Sequence, residues 1–159
     1  MFRRIAFGLV LALLVALPAT AQDHQKGVAA YKRGDYATAL KEWRPLAEQG
    51  HANAQDNLGL MYTKGLGVPQ DYAEAAKWYR KAAEQGHAGA QMRLGVMYIQ
   101  GIGVPKDDIL AYMWLSHSAA NGDKFPAIIR DGVARRLTRA QIAEAKKLTR
   151  EWQAKHGKK

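Results

Sequence analysis

HANAQDNLGLMYTKGLGVPQDYAEAAKWYRKAAEQG occupies residues 51–86, and HAGAQMRLGVMYIQGIGVPKDDILAYMWLSHSAANG occupies residues 87–122. The two align without gaps over 36 residues, with 17 identities. A period of this length marks a stack of supersecondary units, each burying its apolar face against the next. Upstream, DYATALKEWRPLAEQG (35–50) matches DYAEAAKWYRKAAEQG (71–86) at 10 of 16 positions. AAYKRG (29–34) then stands where LMYTKG would, with the GVPQ-type loop deleted.

Each unit reads as two helices. Across 52–64, Ala54, Leu58, Met61 and Tyr62 recur at helical spacing. Gly65-Leu66-Gly67-Val68-Pro69 ends that helix, because glycine accepts positive φ and proline cannot continue the ladder. Asp71 is the expected cap of the second helix. Its expected buried stripe is Tyr72, Ala75, Tyr79 and Ala82, and Gly86 closes it. Gly59 and Gly95 sit inside first helices, where glycine costs about 1 kcal/mol against alanine. Close approach of the paired helix is the expected reason.

These residues carry a family resemblance. A-x-x-x-LG-x-MY-x-x-G-x-GV-P-x-D, then A-x-x-W and a closing G, resembles the Sel-one-like repeat, a relative of the tetratricopeptide repeat. The resemblance covers 51–122 and part of 26–50. It implies an all-α fold: a short right-handed α-solenoid of helix pairs with a C-terminal capping helix. It also implies partner binding in a concave groove lined by the first helix of each pair. Some cysteine-rich members are linked to β-lactam binding or hydrolysis; this chain has no cysteine.

Three segments are expected. Residues 1–21 read as an export signal: Arg3 and Arg4, an uncharged apolar run from Ile5 to Leu17, Pro18, then Ala19-Thr20-Ala21. The run is too short to span a bilayer, which takes about 20 apolar residues. The mature chain would begin at Gln22, periplasmic or secreted, with no transmembrane segment. Residues 22–122 hold the repeats (24–50 partial, 51–86, 87–122), and 123–159 form a basic helical cap and tail.

Charge is distributed unevenly. Residues 22–123 hold 11 Lys/Arg and 11 Asp/Glu, whereas 124–159 hold 11 Lys/Arg against Asp131, Glu144 and Glu151. In the tail, Pro126 suits a helix start near 125–136. Thr138 with Gln141 suits a capping box, and Leu137 with Ile142 a hydrophobic staple. A helix 139–155 would bury Ile142, Ala145, Leu148 and Trp152. The second helix of the last unit carries Leu110, Met113 and His117 where the earlier copy has Glu74, Lys77 and Lys81. A helix apolar nearly all round is covered on more than one side, and the tail is the expected cover.

Little here suggests catalysis. The absence of cysteine removes thiol catalysis, thiolate zinc sites and iron–sulfur clusters. G-x-G in the two loops lacks the third glycine and the preceding strand of a dinucleotide site. His51 and His87 recur at a helix-start position and read as caps or surface groups rather than metal ligands. Asp107 and Asp108 read as cap and dipole partners. Ser116 and Ser118 lie on a helix without a nucleophile elbow. His117, between them, faces a different direction. The recurring Tyr62, Trp78, Tyr98 and Trp114 read as core. No catalytic residue, cofactor or metal is expected.

The positions that vary between first helices are more informative. They hold Asn53, Asp56, Leu60, Thr63 and Lys64 in one unit and Gly89, Met92, Val96, Ile99 and Gln100 in the next. Their spacing puts them on one face, the groove face by resemblance. That face suits an extended peptide or partner helix, and ordinary solvent-facing drift would give the same pattern. The leading reading is an exported protein–protein interaction scaffold. The alternative is binding of an anionic polymer or membrane surface through Lys146, Lys147 and Arg150, with no specific nucleic acid. A cell-wall or β-lactam hydrolase is a third reading, by family analogy alone.

Overall fold

The structure, a computed structural model, describes residues 19–157. Among them are eight α-helices and no strand: α1 (Ala19–Lys32), α2 (Tyr36–Glu48), α3 (Ala52–Lys64), α4 (Tyr72–Glu84), α5 (Ala88–Gln100), α6 (Asp108–Ala119), α7 (Lys124–Ala134) and α8 (Arg139–His156). Most of the expected export signal lies outside the described residues, and α1 runs through the expected cleavage point.

The helices pack as consecutive pairs, α1 on α2, α3 on α4 and α5 on α6, and each pair packs on the next. Gly65 and Gly101 take the left-handed conformation at the ends of α3 and α5, as the loop sequence requires. Asp35, Asp71 and Asp107 each accept a backbone N–H at the start of α2, α4 and α6. Gly59 and Gly95 lie where the paired helices meet. A Cβ on Gly59 would stand 2.5 Å from the Tyr79 ring, and one on Gly95 would stand 2.8 Å from Leu115 Cγ.

The 36-residue period extends to the bonds that join units. Gln55 Nε2 donates to Ala47 O at 3.0 Å, and Gln91 Nε2 donates to Ala83 O at 3.1 Å. Arg44 donates to the Tyr62 hydroxyl at 3.2 Å, and Arg80 to the Tyr98 hydroxyl at 2.6 Å. Each buried glutamine adds a second donor to a carbonyl at the C-terminal end of the preceding unit's second helix, beside the backbone N–H of Gly50 or Gly86.

The tail departs from the repeat and covers its end. α7 and α8 both pack on α6. Asp123 caps α7, with Pro126 buried in its first turn. Thr138 and Gln141 make the reciprocal capping box of α8. Ala145 is buried, and Ile142, Leu148 and Trp152 are half-buried. Under this cover Met113 and His117 are buried and Leu110 is half-buried. Arg136 also reaches both oxygens of Asp108 at 3.0 and 2.8 Å, and its guanidinium holds that carboxyl below the usual range. No described helix is long and apolar enough to cross a membrane.

Candidate functional site

α3 and α5 are the first helices of neighbouring units, and a cleft of about 530 Å³ opens between them. Leu60 and Thr63 line it from α3, and Met92, Val96 and Gln100 from α5. Five of the varying positions therefore share one cavity. They reach it because residues three and four apart share a helix face.

The remaining varying positions are elsewhere. Asn53 and Lys64 are exposed beyond the two ends of the lining, and Gly89 is half-buried outside it. Ile99 lies outside the lining, half-buried and packed, like Met92, against the hydrophobic core. Asp56 is also a correction to the picture of an open polar groove. It is buried, and Arg93 Nη1 reaches both its oxygens at 2.7 and 2.8 Å. This ion pair bridges α3 and α5 beneath the cleft. His87 contributes from the start of α5: its Nδ1 accepts the Ala90 N–H at 3.1 Å and lies 3.9 Å from Asp56. His51, its counterpart, caps with no side-chain bond.

Sequence reasoning missed the other half of the lining. Tyr72 was expected in the α4 core stripe, yet it is 39% exposed and borders the cleft. The 101–104 loop lies against it, packing Gly103 onto the Tyr72 backbone with no room for a Cβ. Ile102 from the same loop is 36% exposed and also borders the cleft. Tyr79 and Arg93 form the polar edge. Thr63 Oγ1 donates to Gly59 O at 2.8 Å, so the Tyr79 hydroxyl donates to Thr63 Oγ1 at 3.2 Å. Burial pushes the Tyr79 phenol up to about 12, which keeps it protonated. Arg93 stacks over the Tyr79 ring at 5.7 Å. The signal that could have found these residues is the loop: two bulky apolar residues, Leu66 and Ile102, recur between glycines where a solvated turn would be polar.

The cleft offers an apolar wall, a phenol and an amide, with its one acid already paired. That chemistry suits binding. The hydroxyls of Ser116 and Ser118 are used on Tyr112 O and Ala88 O. Lys146, Lys147 and Arg150 are exposed on α8, and Lys147 lies 3.9 and 4.0 Å from Glu144 and Glu151. Among the described residues no three His, Asp or Glu side chains gather as a metal site.

The Sel1 repeat model matches residues 52–87 and 88–123. Two solved structures are similar. One is a protective antigen present in uropathogenic Escherichia coli strains that displays an SLR fold. Its TM-score is 0.81 at 31% identity, over 86% of this chain and 30% of that one. The other is a Sel1 repeat protein from Oxalobacter formigenes, with TM-score 0.63 at 38% identity, over 68% of this chain and 46% of that one. The chain thus spans less than half the length of either. No curated protein matches it.

Proposed function

Because the chain is a Sel1-repeat protein with an α-solenoid fold, we propose that it is a non-catalytic scaffold that holds a partner peptide or helix in the cleft between α3 and α5. The observation that carries this reading is the convergence of Leu60, Met92 and Val96 on one half-buried apolar cavity. These are the positions at which the two units differ. Residues kept for packing repeat; these do not, and all three are half-buried rather than closed off. Met92 and Val96, one turn apart on α5, with Leu60 facing them from α3 and Tyr72 and Ile102 at the rim, suit the apolar face of an amphipathic segment.

The test is binding by the full mature chain and by a Met92→Glu/Val96→Glu variant. Each carboxylate would be desolvated against an apolar partner, at several kcal/mol if unpaired. Partner capture should fall at least about tenfold, or 1.4 kcal/mol, with helicity intact. Undiminished capture by the variant would refute the cleft as the site.

Export is part of the proposal. Arg3-Arg4, the apolar run and Ala19-Thr20-Ala21 motivate a periplasmic or secreted chain starting at Gln22. Intact-mass measurement of the native protein checks it, and retention of Met1 would contradict it.

A further inference from the structure

A second cavity, of about 320 Å³, lies at the C-terminal ends of α4, α6 and α8, away from the α3–α5 cleft. Two of its lining side chains are almost wholly buried, yet each has a polar atom without a partner among the described residues. They are Gln91 Oε1, on a residue 2% exposed, and His117 Nε2, on a residue 4% exposed. Buried polar atoms are rarely left so, because each forgoes a hydrogen bond it had in water.

The neighbouring unit shows what such a glutamine accepts. Gln55 is the 36-residue counterpart of Gln91. Its Nε2 makes the same bond to the preceding helix, and its Oε1 accepts from Gln85 Nε2 at 2.7 Å. The counterpart of Gln85 is Asn121, one methylene shorter. Asn121 turns its amide back to His117 O and Ser118 O, both at 3.4 Å. The carboxamide that closes the first unit is thus withdrawn from the second. Because Gln91 Nε2 is committed to Ala83 O, its Oε1 is fixed as an acceptor.

The rest of the wall suits a planar amide. Trp152 lies 4.2 Å from the His117 ring and stacks on His156 at 4.5 Å and 22°. Burial, with a smaller contribution from His156, pushes the His117 imidazole down to about 4, so it is neutral at pH 7. A neutral ring with its proton on Nε2 donates to a carbonyl. Glu84 and Lys155 at the rim carry opposite charges, which favours neither an anion nor a cation.

We propose that this cavity binds a primary carboxamide, the side chain of a glutamine or asparagine in a partner peptide, with its N–H₂ on Gln91 Oε1 and its carbonyl on His117 Nε2. This goes beyond the cleft reading and stands or falls apart from it.

The experiment titrates the mature chain with N-acetyl-L-glutamine N-methylamide and follows the Trp152 Nε1–H and His117 ring resonances by NMR. The methionine analogue, equal in length but without the carboxamide, is the control. Saturable shifts with the glutamine compound alone support the proposal. A response to free L-glutamine that exceeds the capped compound would overturn the peptide source. Asn121→Gln restores the methylene and should fill the cavity from within, weakening the response at least about tenfold. Asn121→Ala should keep it, and the Met92→Glu/Val96→Glu variant should also keep it. Equal shifts with both analogues, no shift with either, or a full response in Asn121→Gln would each overturn the assignment and leave an ordered water as the occupant.

Discussion

Units 51–86 and 87–122 share a backbone frame but face different neighbours. In the first, Lys81 lies in water over the Trp78 ring at 4.3 Å, and Gln85 closes on Gln55. In the second, His117 replaces Lys81 under the cover of α8, and Asn121 leaves Gln91 open. On the first helices, Leu60 and Thr63 face Met92 and Val96 across a cleft. The identities hold the frame: glycines at close approaches, aspartates at caps, glutamines between units. The differences decide what each unit touches. A repeat protein can therefore change partners at fixed fold by changing only the non-repeating positions.

The strongest way to break the comparison is to attack the shared frame. Gly59→Leu and Gly95→Leu should each destabilise by at least the 1–3 kcal/mol typical of overpacking. Gly59→Leu should be the worse, because the buried Tyr79 ring stands closer than Leu115. Chemical denaturation of both beside wild type checks this. Unchanged midpoints would mean the paired helices can move apart freely.

The next effect is confined to the second unit. His117 has a folded pKa of about 4 against the ordinary 6.5. Between those values the unfolded chain binds the extra proton, so stability rises with pH there. The stabilising contribution is present above pH 6.5 and is lost as pH falls toward 4. A His117→Phe variant should have a flatter melting profile across that window than wild type. A profile identical to wild type would show that His117 is not the titrating group.

Smaller effects separate surface from frame. Met92→Glu/Val96→Glu should remove partner binding with helicity retained, at some cost in melting temperature because Met92 also packs on the core. Ile99→Glu should leave partner binding in place, because Ile99 does not line the cleft. Changing Lys146, Lys147 and Arg150 to Gln should alter stability within about 0.5 kcal/mol. It should also leave partner affinity unchanged at 0.1 M salt, where the screening length is about 10 Å. Loss of binding in that triple variant, with the cleft variant intact, would favour the basic helix instead.

The frame was legible because helix periodicity, glycine–proline stops and aspartate caps are local signals, written twice. Gly59 and Gly95 were readable as close approaches for the same reason. Long-range pairing was less legible. Asp56 varies between units like a surface residue, yet Arg93, 37 positions away, draws it into a buried ion pair. Ile99 is one of the varying positions, yet it packs on the core and does not line the cleft. Tyr72 follows the α4 stripe in spacing, yet it stands at the cleft rim beside the loop of the next unit. The open Gln91 carried no signal at all until its closed counterpart, Gln55, could be seen beside it.

The most direct measurement of the central claim is site-specific photo-crosslinking in the native cells. A benzophenone amino acid would replace Val96 in the cleft in one variant and exposed Lys77 on α4 in another. A discrete crosslinked species from position 96, missing from position 77 and lost when Leu60→Glu is added, is the predicted result. Crosslinks from position 77 alone, or from position 96 with Leu60→Glu undiminished, would contradict the assignment of the α3–α5 cleft as the partner-binding surface.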